Sequence, residues 1–265
     1  LAEGRVIAHH GEAIVLRTWP FHEADLLVSL FTREQGKVKG VARHAMRSRR
    51  RFGGALEPGT QVRAHYTERP KQDLVRLDQF EILWSPLSAP MDMLRLAALQ
   101  LVTEVLEEAL PEQAADDNIF RLAVTVLTAI QVPGSRFQVQ ETPAQIYLPV
   151  TYFCLWMNRL MGWMPELGHC AVCGLDLRPS PEQSGAVWWS PTADGVTCKD
   201  DRRPGSRALS AGSVAESHRM ARTPLAELAG EDWPAGRSAD LRAFAVGMLE
   251  RHLERRLRSA AGLVG

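Results

Sequence analysis

Cysteine is scarce in this chain of 265 residues, with four in all, unevenly spaced. That excludes a disulfide-framed secreted miniprotein and points to a reducing compartment. No apolar run approaches the ~18 residues that a membrane span requires, and the opening Leu1–Arg5 lacks the apolar core of a secretory signal. The expectation is a cytoplasmic protein with no membrane association. Also missing are a phosphate-binding P-loop, a dinucleotide fingerprint, a GxSxG elbow and a HExxH pair. The histidines are scattered without obvious partners, so enzymatic chemistry has little to stand on. Net charge is zero as well, yet 45% hydrophobic and 23% charged residues exclude wholesale disorder. The length suggests two domains.

The zero net charge conceals a segregation. Between Arg33 and Phe52 lie Arg33, Lys37, Lys39, Arg43, Arg47, Arg49, Arg50 and Arg51, opposed only by Glu34, a local charge of +7. From Leu87 to Glu166 nine acids face four arginines, a local charge of −5. Arg251–Arg258 is basic again. A chain polarised in this way offers a polyanion one face while staying soluble as a whole.

The first 86 residues read as β. Strand-like runs occur at Glu12–Arg17, Asp25–Phe31, Lys37–Ala42, Thr60–Thr67 and Leu74–Leu83, punctuated by Gly36 and by Glu57-Pro58-Gly59. Five short runs with such punctuation predict a small barrel. After Pro86 and Pro90 the period changes to helical, and residues 87–265 are expected to form a second, helical domain. Helices are expected over Met91–Ala109, Asp117–Ile130, Tyr147–Met161 and Ser238–Leu257. Residues 166–205, with Cys, Gly, Pro and Trp and no period, read as an insertion.

Two patterns carry chemistry. Lysines alternating along the third strand, then four arginines in the five residues 47–51, would line one rim of the barrel with cations. Guanidinium groups bond two phosphate oxygens at once, and each contact adds counterion release and salt dependence. The bland alternative is a solvated basic loop. Phe52 and Trp19-Pro20-Phe21 are the candidate base-stacking groups, although half or more of the barrel aromatics must be core. The second pattern is Cys170-Ala-Val-Cys173-Gly174, followed by Cys198. A CxxC turn aims two thiolates at one ion. Spacing places a fourth donor at 201, where aspartate stands. Cys170, Cys173, Cys198 and Asp201 are thus candidate ligands for a closed, structural zinc, with Asp201 ahead of His169. A metal-free segment packed around Val187, Trp188 and Trp189 is the alternative. Cys154, among Tyr152, Phe153 and Trp156, reads as core.

These residues together resemble the RecO family of bacterial recombination mediators. The resemblance rests on Ala13–Arg17, His22-Glu23-Ala24-Asp25, Leu30–Lys37, Val41–Arg43, Arg51–Pro58, Leu160–Pro165 and Cys170–Gly174. It is dense in the first domain and weakest over residues 205–240. It implies an α+β protein: an N-terminal OB-fold β-barrel, then a helical domain with a zinc-finger-like insertion. It further implies a nucleoid-associated protein that binds single- and double-stranded DNA and anneals complementary strands. With RecR, such a protein helps load RecA onto strands coated by single-strand-binding protein, whose acidic C-terminal tail binds the helical domain. The DNA contacts carried over are Lys37, Lys39, Arg43, Arg47, Arg49, Arg50 and Arg51, and Arg251–Arg258 is a candidate for the tail. Asp201 stands where zinc-bearing members have a fourth cysteine. Two rivals remain on sequence grounds: an OB-fold RNA- or tRNA-binding factor with a structural zinc, and a metal-dependent hydrolase built on the cysteines.

Overall fold

A computed structural model describes residues 6–48, 50–88, 91–131, 144–178 and 185–264. The chain forms two compact units, Leu1–Gln131 and Val132–Gly265. Among the described residues no helix is long and apolar enough to cross a membrane.

The first unit is built on five strands: β1 (Ile7–Phe21), β2 (Asp25–Thr32), β3 (Gly36–Ala42), β4 (Gln61–Glu68) and β5 (Val75–Trp84). They close a barrel in the order β1-β2-β3-β5-β4, and all pairings are antiparallel except β3 with β5. This is the Greek-key arrangement of an OB-fold. Alternation places Ala13, Val15, Val28, Leu30, Val38, Val62, Ala64, Leu77 and Phe80 inside. β1 is far longer than its apolar centre suggested, because cross-strand pairing with β4 carries it out to Ile7.

β3 and β5 pair only over Gly40–Ala42 and Val75–Leu77. Beyond that the two strands diverge, and the chain after α1 (Met93–Ala109) fills the gap. There Gln113 N donates to Lys37 O at 2.9 Å. The approach is close enough to require glycine at 36: its φ is 72°, and a Cβ would fall 2.2 Å from Ala114 O. The helix α2 (Asp117–Gln131) follows, capped by Asp116, whose Oδ1 accepts from Asn118 N and Ile119 N. Phe120 of α2 packs on Phe31 of β2, ring centres 5.5 Å apart. The compact unit runs on past residue 86, the boundary expected from the change of period, to Gln131, because these helices cover one outer face of the barrel.

The second unit contains α3 (Ala144–Leu160), a three-stranded sheet of β6 (Val187–Trp189), β7 (Val196–Thr197) and β8 (Arg207–Leu209), then α4 (Ala211–Met220), α5 (Leu225–Leu228) and α6 (Ala239–His252). α3 packs along α6, and buried Asn158 donates to Cys154 O and to Ala245 O across that contact. The last helix is shorter than its apolar pattern suggested. It stops at His252, Glu254 adopts φ 53°, and the Glu250 carboxylate accepts from Leu257 N at 3.0 Å. Arg255 and Arg256 therefore lie on the turn beyond the helix, and Arg258 opens a short 3-10 helix, Arg258–Gly262.

Candidate nucleic-acid interface and metal centre

The basic residues expected on the barrel rim divide into three groups. Lys37 is a correction: it is 7% exposed, and its ammonium donates to Glu107 O at 2.6 Å. The reason lies in the pleat. Val38 faces the barrel interior, so Lys37 and Lys39 face outward, under the acidic end of α1. Lys37 neutralises the carbonyl end of that helix. Lys39, half-buried, donates to Glu112 Oε1 at 2.7 Å. That hydrogen bond raises the Lys39 pKa and lowers that of Glu112. Arg33 likewise pairs with Asp117 at 2.7 Å. Part of the charge segregation seen along the chain is thus cancelled within the first unit.

The arginines beyond β3 behave differently. Arg43, Arg47 and Arg50 are exposed and have no side-chain partner among the described residues. Arg49 lies outside the described residues. Arg51 is half-buried and holds the loop together: it donates to Ser48 Oγ at 3.1 Å and to Arg43 O, and lies over the Phe52 ring. Phe52 is the second correction. It is 2% exposed, edge-on to Phe80 at 5.4 Å in the barrel core, and has no face left for a base. Phe21, at the end of β1, and Trp19 are half-buried instead.

The arginine loop is pinned to the β1–β2 turn. His44 N donates to Asp25 Oδ1 at 2.7 Å and Met46 N to Ala24 O at 3.2 Å. The same barrel end carries the β4–β5 loop, with exposed Arg69 and Lys71, which lie outside the basic run of residues 33–52. Between these loops lies a groove of about 380 Å³ bounded by Phe21, Val41, Arg43 and residues 72–76. OB-folds bind oligonucleotides on this same combination of the β2–β3 face and the β1–β2 and β4–β5 loops.

In the second unit Cys170, Cys173, Cys198 and Asp201 converge, their ligand atoms all within 4.8 Å of one another. Cys173 Sγ and Cys198 Sγ are 3.9 Å apart, and Asp201 Oδ2 is 3.2 Å from both Cys170 Sγ and Cys198 Sγ. Zinc–thiolate bonds of about 2.3 Å put tetrahedral S–S edges at about 3.8 Å, so the donor set fits such an ion. The knuckle turns through Gly174 (φ 74°), whose N–H donates to Cys170 O, while Ala171 N donates to Val196 O and joins it to β7. Burial pushes the Cys170 thiol up, but N–H groups of Cys173, Cys198 and Val172 aimed at its sulfur outweigh that and lower it. The Asp201 carboxylate pushes Cys173 up to about 12. Four anionic donors crowded without an ion hold protons between them, and a cation would replace those protons. His169 turns away to Glu166, 2.7 Å distant. Cys154 is fully buried, and desolvation pushes its thiol up to about 12, as a core cysteine requires.

Two family profiles match the sequence: "Recombination protein O N terminal" over residues 7–86 and "Recombination protein O C terminal" over residues 90–261. The chain belongs to the RecO family. A relative named DNA repair protein RecO from Koribacter versatilis is 48% identical over 246 residues, covering 93% of this chain and 94% of the relative. RecO proteins of Anaeromyxobacter sp. (strain K) and Symbiobacterium thermophilum are 35% and 31% identical, each over 92% of this chain and 91% and 93% of their own lengths. The RecO assignment accounts for the order of barrel, helices and cysteine-bearing insertion, and places the protein in DNA repair.

Proposed function

We propose that this RecO-family protein is a recombination mediator that binds single- and double-stranded DNA, anneals complementary strands and, with RecR, helps load RecA onto strands coated by single-strand-binding protein. The observation that carries this reading is the arginine loop. Arg43, Arg47 and Arg50 stand exposed beside the β1–β2 turn, at the barrel end where OB-folds take oligonucleotides. Guanidinium contacts to phosphate screen the mutual repulsion of two strands and leave base edges free to pair. Such contacts carry no sequence information, so binding is sequence-independent. No covalent step is required, and binding energy alone does the work.

Cys170, Cys173, Cys198 and Asp201 would hold zinc as a structural cross-link. Four protein donors complete a tetrahedron, with no position for a catalytic water. The acidic tail of single-strand-binding protein has a candidate seat in the second unit. A cavity of about 430 Å³ there has Trp189, Val246 and Leu257 on its walls and Arg207, Arg256 and Arg258 around them. Arg256 pairs with Glu250 at 2.8 Å, and an incoming carboxylate would compete for it. Arg251, by contrast, is engaged by Ala193 O and Asp194.

The test is annealing of two complementary oligonucleotides across a salt series, with and without single-strand-binding protein. Acceleration that persists on coated strands and fades with salt is expected. Tight binding without annealing would reduce the reading to a nucleic-acid-binding module.

A further inference from the structure

We infer that His10 and His65 form a metal site on the outer face of the barrel, which takes one divalent transition-metal ion of the imidazole-seeking class, Cu²⁺ most tightly. The site is separate from the cysteine cluster and rests neither on zinc there nor on the DNA-binding reading.

β1 and β4 pair antiparallel with His10 directly opposite His65. Residues opposed in this way project from the same face of the sheet, with β-carbons about 4.5–5.5 Å apart. That face is the outer one: Ala64 and Tyr66, on either side of His65, are buried in the barrel core, while both histidines are exposed. Their rings are stacked, 16° from parallel, with centres 6.0 Å apart. Neither ring has a hydrogen-bond or ion-pair partner among the described residues. Other histidines are engaged elsewhere. His9 projects from the opposite face of β1, stacked on Tyr66 and 3.2 Å from Glu68. His169 meets Glu166, and His252 meets Met248 O. Two imidazoles that share an ion at about 2.0 Å from each nitrogen have ring centres about 4.5–5 Å apart. Rotation of two exposed side chains over a fixed backbone closes the remaining distance of about 1 Å. Arg63, two residues along the same face of β4, is neutralised by Glu81 at 2.9 Å and does not repel a cation there. Gln79 of β5 stands opposite His65 on that face and offers an amide oxygen. A donor set of imidazoles selects Cu²⁺, Ni²⁺ or Zn²⁺ over Mg²⁺ and Ca²⁺, with copper bound most tightly.

The place of the pair in the barrel gives such an ion a mechanical effect. β1 pairs with β2 only over Ala13–Phe21, whereas its pairing with β4 covers Ile7–Ile14. Residues 7–12 thus have a strand neighbour on one side alone among the described residues. Backbone held from one side opens most readily. His10 lies within that stretch, so an ion shared with His65 staples it to β4.

The experiment titrates Cu²⁺ into the full chain at neutral pH and follows electron paramagnetic resonance and amide hydrogen exchange. The unsubstituted protein is expected to take up the ion with splitting from two nitrogens, and exchange over residues 7–12 should slow. His10→Gln and His65→Gln should each remove one nitrogen from the spectrum. Each should also weaken binding about a hundredfold, because the second donor no longer binds intramolecularly. Both side chains are exposed, so either variant should fold as the parent does. His9→Gln, one residue away on the opposite face, should leave the spectrum and the affinity unchanged. Copper held by Cys170, Cys173 and Cys198 instead would show no nitrogen splitting and would survive both substitutions, and that result would overturn the site. Two-nitrogen splitting that persists in His10→Gln and His65→Gln, or that His9→Gln removes as fully, would also overturn it. So would the absence of copper uptake by the unsubstituted protein.

Discussion

The indole of Trp189 lies so close over α6 that a β-carbon at Gly247 would fall 2.5 Å from its Cη2 and 2.7 Å from its Cζ3. Glycine in a helix interior is normally a liability of about 1 kcal/mol relative to alanine. Here it lets the sheet that follows the cysteine knuckle seat its central tryptophan on the helix, edge-on to Phe244 at 5.3 Å. Gly247→Ala would therefore gain helix propensity and lose packing. Overpacking of a well-filled core costs about 1–3 kcal/mol, so the net effect should be destabilising by up to about 2 kcal/mol. Thermal melting of Gly247→Ala checks this. Adding Trp189→Phe, which removes the crowding atoms, should recover part of the loss. An unchanged or raised melting temperature in the single variant would show that the indole is free to move.

Asp240 caps a helix other than its own. Its carboxylate accepts from Ser210 N at 2.7 Å, from Ser213 Oγ and from Leu241 N, and so ties the start of α4 to the start of α6. Burial alone would raise its pKa, but these donors outweigh burial and lower it. A carboxyl depressed in the folded state stabilises above its ordinary pKa, and that contribution is lost as pH falls through the folded value. Asp240→Ala should cost about 1–3 kcal/mol at pH 7. In urea titrations the gap between variant and parent should begin to narrow as pH falls below the ordinary aspartate value of about 3.9 and should go on narrowing as it passes through the lower folded value. A gap independent of pH would assign the loss to packing.

Much of this architecture could be read directly from residue order, and the exceptions share a cause. Strand alternation with Gly36 and Pro58-Gly59 at the turns marked all five barrel strands, and the spacing of Cys170, Cys173, Cys198 and Asp201 marked the cluster. Period-two alternation separates the two faces of a strand, but it does not say what covers the outer one. For that reason Lys37 and Lys39 have the sequence pattern of phosphate ligands, although Glu107 and Glu112, some seventy residues on, lie over them. Phe52 looked like a loop aromatic because its arginine neighbours are exposed, yet the loop turns back to bury it. Arg69 and Lys71, two cations around a proline, make no run in the sequence. They gain meaning only when the barrel closes and brings the β4–β5 loop beside the β1–β2 turn. The small-residue helix α4, Ala211–Met220, has too weak an apolar pattern to announce itself.

The exposed arginines and the buried Lys37 should separate in a single binding assay. Charge reversal of Arg43, Arg47 and Arg50 removes up to three phosphate ligands. For single-stranded DNA the slope of log K against log salt should become shallower by about 0.7 for each phosphate no longer neutralised, or about 2 in all. Their exposure predicts a melting temperature within a few degrees of the parent. Lys37→Met should do the opposite. Loss of the ammonium from Glu107 O uncaps the end of α1 inside the fold and should cost about 1–3 kcal/mol, while the salt slope stays unchanged. A shallower slope in Lys37→Met at full stability would return that lysine to the DNA-binding set.

The cysteine cluster makes its own prediction through Asp201. Carboxylate oxygen is a harder donor than thiolate, and zinc accepts either. Protein purified without chelator should contain one zinc per chain. Chelation should lower the melting temperature, since a ligand at a thousand times its Kd contributes about 4 kcal/mol. Asp201→Cys should hold the metal more tightly against a colorimetric chelator, Asp201→Ala more weakly, and Cys170→Ser should release it. The order matters more than any single value, because loss of stability alone would follow from disturbing the turn that joins Ala171 to Val196. If zinc is absent and the chelator changes nothing, the four donors are held together by the packing of Val187 and Trp189 alone. Asp201→Cys would then gain no metal, and the knuckle would stand as a fold element without its ion.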